Sequence, residues 1–240
     1  MFTGNAFANQ SATMGLRLTP RQLSDLATYA DRLATSATNL VSARDREQIE
    51  QRHLLESLAY GALLEKQGLL TDGVRLLDLG AGGGLPGIPI KIAWPSVELT
   101  LLESVGKKCR FLEQVAAELS LQDVNVLEGR AETFGHDESH RGRYDVVVAR
   151  AVAALPVLIE YSLPFLRVGG RLAAVKGSTA LDEIDSAQAV LRELRGVLID
   201  APAFEPPHGA RQTVVIIEKQ GETPERYPRR EGVPARRPIV

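Results

Sequence analysis

The stretch Leu76-Leu77-Asp78-Leu79-Gly80-Ala81-Gly82-Gly83-Gly84-Leu85-Pro86-Gly87 constrains this chain more than any other part of it. An apolar run gives way to five glycines within eight residues. Such a run, bounded by glycine, reads as a buried strand. Glycines at 80, 82 and 84 let the backbone turn sharply at the strand's carboxyl end and let a ligand approach without meeting a Cβ. A tight turn alone needs fewer. In an open α/β sheet the carboxyl edge is where ligands bind, so one motif predicts a fold class and a place to look for function.

The flanking sequence agrees. Residues 74–79, 97–102, 125–127, 144–149 and 171–175 read as strands, with helical stretches at 86–93, 105–119, 153–166 and 179–196 between or after them. Apolar strands alternating with helices predict a mainly parallel sheet covered on both faces. Gln212–Lys219 reads as a last strand; no long helix separates it from residues 198–201, so it is expected to run antiparallel at or near an edge. Upstream, Thr19-Pro20 predicts a capped helix start, followed by Leu23, Leu26, Ala27, Ala30 and Leu33 on one face. A second helix is expected over 45–67. The organisation is therefore a flexible arm (1–18), an N-terminal helical segment (19–70), an α/β domain (71–220) and an extended tail (221–240) rich in proline and arginine.

Composition narrows the classes. Twenty-eight basic against thirty acidic residues, a net charge of −2, excludes a polycation. A single cysteine excludes an intrachain disulfide and a Cys-based zinc site. No apolar run approaches the roughly 20 residues that span a bilayer, and residues 1–15 do not resemble a secretory signal. A soluble, cytoplasmic, monomeric protein without membrane or metal partners is expected.

Gly82, Gly84 and Gly87 formally satisfy the dinucleotide fingerprint. Two features oppose it: Asp78 puts a negative charge at the strand tip, and Pro86 and Pro89 remove amide donors from the helix start that would receive a pyrophosphate. S-adenosylmethionine, cationic and without phosphate, suits the loop better, with Asp78, Gly80 and Gly82 as cofactor residues. Glu103, at the end of the second strand, is placed to accept both ribose hydroxyls of an adenosine, a device shared with NAD sites. Arg130-Ala131-Glu132 follows the third strand, where Ala131 and Glu132 can frame the adenine. Arg150 ends the fourth strand, beside the transfer centre; Lys176 occupies the same rim. Lys107, Lys108 and Arg110 form a basic patch, and Arg229 and Arg230 of the tail are candidate phosphate contacts.

Other chemistry lacks a frame. No Asn/Asp-Pro-Pro-Tyr/Phe follows the fourth strand, which argues against transfer to an exocyclic base amine. Cys109 lies inside a helix between Lys108 and Arg110, away from a strand end, and reads as a plain helix cysteine. His136 to His140 reads as a polar loop rather than a metal site. An acceptor with a free lone pair, such as guanine N7, needs no general base; held in line with the donor methyl, it reacts by displacement. A small-molecule methyltransferase, an NAD-dependent reductase and an RNA chaperone remain competing readings.

Taken together, Leu77 to Pro89, Leu102-Glu103-Ser104, Lys107-Lys108, Phe111-Leu112, Arg130-Ala131-Glu132, Ala149-Arg150-Ala151 and Val175-Lys176-Gly177 closely resemble the glucose-inhibited division protein B family, the bacterial small-subunit rRNA guanine-N7 methyltransferases. The Leu85-Pro86-Gly87 step is the specific part. Asn39-Leu40, Arg52 to Ser57 and the tail residues 227–234 are similar to the family as well. The resemblance implies a class I S-adenosylmethionine-dependent methyltransferase fold, Rossmann-like and seven-stranded, behind a small helical extension. It implies cofactor contacts at Gly80, Leu85, Ala131, Glu132 and Arg150. The implied substrate is a guanine in the 530 loop of 16S rRNA, presented as rRNA or as the 30S subunit. Val41, Glu56 and Ser36-Ala37 depart from the family pattern, all within the N-terminal segment.

Overall fold

A computed structural model describes residues 4–38, 40 and 49–240. Asn39, Val41 and the expected helix start at 45 lie outside the described residues.

The sheet is built from β1 (Arg75–Leu79), β2 (Glu98–Glu103), β3 (Val124–Glu128), β4 (Tyr144–Arg150), β5 (Leu166–Lys176), β6 (Gly196–Asp200), β7 (Ala203–Phe204) and β8 (Gln212–Lys219). Its order is β3-β2-β1-β4-β5-β8-β6, with the two-residue β7 paired to β8 as an eighth strand. The first five strands are parallel; β8 is antiparallel to β5 and to β6, one strand in from the edge. Val214 to Ile217 of β8 are all buried, as suits a strand covered on both faces.

Strand periodicity sorts the core into two layers. Leu76, Leu99, Leu101, Val146 and Val148 face α2 (Pro20–Thr35), α3 (Leu55–Lys66), α4 (Gly87–Ala93) and α5 (Gly106–Glu118). Leu77, Leu79, Leu102, Val147 and Ala149 face α7 (Leu155–Ser162), α8 (Ala180–Ser186) and α9 (Gln188–Leu194). The expected helix over 179–196 is thus two helices, meeting at the fully buried Ala187. α2 begins with a capping box between Thr19 and Gln22, and Gln22 reaches on to the carbonyls of Ile92 and Ala93. The π-helical turn Ile49–Leu54 leads into α3, whose Tyr60 donates to the Ala173 carbonyl at 2.8 Å. The N-terminal helices therefore cover one face of the sheet.

Two expectations are corrected. The 1–18 arm contains α1 (Gly4–Thr13), anchored by buried Phe7, and Leu16 just beyond it is buried in the same core. Its small residues gave no apolar period, but one aromatic seated in the core suffices to dock it. The tail is folded back rather than extended. Arg229 makes a bidentate pair with Glu160, whose side chain is only 1% exposed, and adds its own amide to the same carboxylate. Arg141 donates to the carbonyls of Thr223, Pro224, Tyr227 and Gly135. Arg226 and Tyr227 both reach Glu193, and the chain ends in the short α10 (Val233–Arg236) against α7.

The Arg229–Glu160 pair yields a prediction. Arg229→Ala leaves a buried carboxylate without its cation and is expected to lower unfolding stability by about 3 kcal/mol. Urea unfolding measures the loss, and limited proteolysis reports release of residues beyond 220.

Candidate active site

The strand order reverses direction between β1 and β4, so the crevice at their carboxyl ends is the binding position of this fold. The glycine turn shapes it. Gly80 has φ +71°, and a Cβ there would sit 2.9 Å from Val152 Cγ2. Gly84 has φ +95°, and its Cβ would approach Ile88 at 2.6 Å. Side chains at either position are excluded by conformation and by space. The Gly80 and Ala81 amides bond the Leu102 carbonyl, and Tyr29 of α2 donates to the Gly83 carbonyl at 2.7 Å.

Asp78 does not reach this crevice. It lies 1% exposed beneath the loop, its Oδ2 accepting the Gly87 amide at 2.8 Å. Burial pushes its pKa up to about 7, against the pull of the Gly87 bond and of Arg150. Its role is to fasten the start of α4 to β1. With that amide taken, and Pro86 and Pro89 lacking one, the helix start offers no phosphate cradle. Gly82 spends its amide on Glu103, and Leu85 is buried in the core beside Ile88.

Glu103 stands at the floor of the crevice, 6% exposed. Its two oxygens accept the Gly82 and Val105 amides, both at 2.9 Å, which aims the carboxylate and leaves each oxygen a further lone pair. Around it lie Gly80, Ser104, Ala131, Glu132, Val152 and Tyr161. Glu132 accepts the Gly232 amide at 2.9 Å, so the folded-back tail braces this wall. Burial, with the charge of Glu132, pushes the Tyr161 phenol up to about 12. Val152, Ser104 and Tyr161 were not anticipated from sequence; none has a local signature.

A second pocket adjoins the first across Val152. Arg150 lines it and pairs with Glu56 of α3 at 3.4 Å; Glu56 also accepts from Gln212 at 3.0 Å. Ala151, next to Arg150, has φ +56°, a left-handed conformation that turns the chain between the pockets. Lys176 is 9% exposed and bound to Glu183 at 2.6 Å and to the Ala153 carbonyl, so it builds the wall and is not a phosphate contact. Arg229 is likewise withdrawn from nucleic acid. Lys108 turns to Glu103 at 3.9 Å. Lys107, Arg110 and Arg230 remain exposed, the first two along a cleft with Arg32. Burial pushes the Cys109 thiol pKa up, with nearby carboxylates adding, so it is no nucleophile. His136 bonds the Pro228 carbonyl and His140 the Tyr144 hydroxyl. No metal-ligating cluster occurs among the described residues, and none of their helices is long and apolar enough to cross a membrane.

The family model described as rRNA small subunit methyltransferase G matches residues 22–210. The chain belongs to this family. Curated relatives of that name include one from Roseiflexus castenholzii, 43% identical over 96% of this chain and 97% of its own, and one from Alkaliphilus metalliredigens, 39% identical over 94% of each. Among solved structures, TrmN of Thermus thermophilus aligns with a TM-score of 0.53 at 19% identity, over 71% of this chain and 53% of its own. A Methanococcus maripaludis chain assigned as an S-adenosyl-L-methionine-dependent methyltransferase aligns with a TM-score of 0.55 at 14% identity, over 78% and 97%. The fold is that of the class I methyltransferases. The chain is an S-adenosylmethionine-dependent rRNA methyltransferase.

The residues present fit that cofactor: a carboxylate with spare acceptors faces the crevice floor, and nothing there is built for phosphate. S-adenosylmethionine, when bound, supplies an electrophilic methyl group.

Two measurements probe the site. Glu103→Ala is expected to weaken S-adenosylhomocysteine binding by about 1–3 kcal/mol, read by titration calorimetry. Asp78, with its pKa raised on folding, contributes most to stability at acid pH and loses that contribution as pH climbs through about 7. Asp78→Asn keeps an acceptor for Gly87 and is expected to flatten this dependence. Between pH 5.5 and 8.5, urea unfolding should show the native chain losing about 2 kcal/mol relative to the variant.

Proposed function

We propose that the chain methylates N7 of a guanine in the 530 loop of 16S rRNA, as a cytoplasmic monomer acting on the rRNA or on the 30S subunit. The observation that carries this reading is the state of the carboxylates in the second pocket. Glu56 is engaged by Arg150 and Gln212, and Glu183 by Lys176, Thr179 and the Leu155 amide. Asp78 is sealed beneath the loop. A carboxylate paired with a cation is a poor proton base even where it keeps lone pairs for hydrogen bonds, whereas guanine N7 offers a lone pair and carries no proton to remove. Positioning of the base against the donor then suffices, by in-line displacement without a general base. Gly80, Ala131, Glu132 and Glu103 serve the cofactor side, and Arg150 lines the second pocket. Lys107, Arg110 and Arg230, exposed and cationic, are assigned to the RNA backbone.

His53 on the wall of the second pocket favours one alternative, an acceptor that must lose a proton. The two differ in pH profile. An N7 acceptor gives a rate of the chemical step that is flat from pH 6 to 9, whereas a histidine base makes it fall below about pH 6.5.

The test is transfer of labelled methyl groups to 30S subunits and to stripped 16S rRNA, both from a strain lacking this modification, with N7-methylguanine mapped by chain cleavage. One labelled guanine in the 530 loop is expected. Label at another atom or in another RNA region overturns the assignment.

A further inference from the structure

We infer that Glu56 is the residue that selects guanine as the acceptor, by taking hydrogen bonds from the base's N1–H and N2 amino group in the second pocket. The inference rests on the guanine-N7 reading above and adds the means of recognition.

The second pocket is rich in donors. Arg150 lines it with Gln212 and Lys176. A base held by its donor-bearing edge needs the opposite: an acceptor, preferably charged, on the wall. Among the described residues the pocket has two carboxylates, Glu56 and Glu183. Glu183 is occupied. Its Oε2 takes Lys176 and the Leu155 amide, both at 2.6 Å, and its Oε1 takes Thr179 at 3.0 Å. Burial opposes its ionisation, and those three bonds more than offset it, holding its pKa below the usual range. Glu56 carries a lighter load, one bond from Gln212 on Oε1 and the longer Arg150 contact on Oε2. A carboxylate has about four acceptor positions, so one is left on each of its two oxygens. That spacing suits two adjacent N–H donors.

Guanine presents this pair on its Watson–Crick edge. Adenine presents an acceptor at N1, which a carboxylate repels. Holding the base by that edge leaves N7, on the imidazole ring, unobstructed. The side chain is also fixed in advance. Glu56 stands in the first turn of α3, its side chain 12% exposed and its carboxylate held by Arg150 from the end of β4 and by Gln212 from the start of β8. A charged acceptor immobilised from two strands loses little on binding and discriminates sharply against a base lacking its partner group. Arg150 thus acts on the base through Glu56, as a positioning residue.

The experiment uses the full chain and 30S subunits reconstituted around 16S rRNA carrying guanosine, inosine or 7-deazaguanosine at the mapped target. Inosine keeps N7 and N1–H but lacks the N2 amino group. The native enzyme is expected to prefer guanosine over inosine by about tenfold or more in kcat/KM. In Glu56→Gln that preference is expected to fall to about threefold or less, because the amide keeps one acceptor and loses the charge. The ratio is internal to each protein, so partial unfolding does not alter it. Unchanged preference in Glu56→Gln overturns the inference. If Glu56→Gln is inactive on both RNAs, Glu56→Asp decides. Activity with the guanosine preference retained supports a reading carboxylate; loss on both RNAs, with S-adenosylhomocysteine still bound, overturns it in favour of a purely architectural Glu56. The 7-deazaguanosine arm tests the underlying reading separately. Transfer to that RNA removes N7 as the acceptor, whatever Glu56 does.

Discussion

The turn at the end of β1 is the constraint on which the molecule depends. A buried carboxylate, Asp78, holds the first amide of α4 and so closes the glycine loop back over its own strand. From that closure come the open backbone at Gly80, the seat for Val152 and the amide of Gly82 that aims Glu103. The same loop receives Tyr29, which ties the N-terminal helices to the catalytic edge. An ionised group in an apolar interior is unfavourable, which is why the Asp78 pKa is raised, and its bond to the Gly87 amide holds a loop that glycine would otherwise leave free.

Charge is spent inward in this protein. Arg141 and Arg229 are consumed by carbonyls and a buried carboxylate, and they pin residues 223–237 against α6 (Ala131–Phe134) and α7. The consequence reaches the cofactor site, because Gly232 braces Glu132 on its wall. A segment whose composition suggests an RNA-binding arm is in large part a strap for the pocket. Of the cations singled out in the sequence for RNA, Lys107, Arg110 and Arg230 remain exposed.

Much of the architecture was legible in the primary structure because it follows from short-range rules. Short apolar runs alternating with helical stretches read as covered strands, and the Thr19-Pro20 step reads as a helix start. That Glu103, Ala131 and Glu132 share one sheet edge was legible as well, since Glu103 ends β2 and the other two follow β3. Lys176 and Arg229 were misread for a common reason. A lysine or arginine looks alike whether it meets solvent or a carboxylate far along the chain, and Glu160 is 69 residues from Arg229.

The sequence by itself determined the sheet, the glycine turn and the family, since each is encoded in contiguous residues whose backbone preferences and periodicity are local. Only the tertiary structure decided which charges are free. Glu56, Arg150 and Gln212 come from α3, β4 and β8, and nothing in their sequence spacing relates them. They meet because β4 ends and the antiparallel β8 begins at the same edge of the sheet, where the first turn of α3 also lies. At that edge a carboxylate is defined by the partners that surround it in space, and the chemistry of the second pocket follows from that meeting.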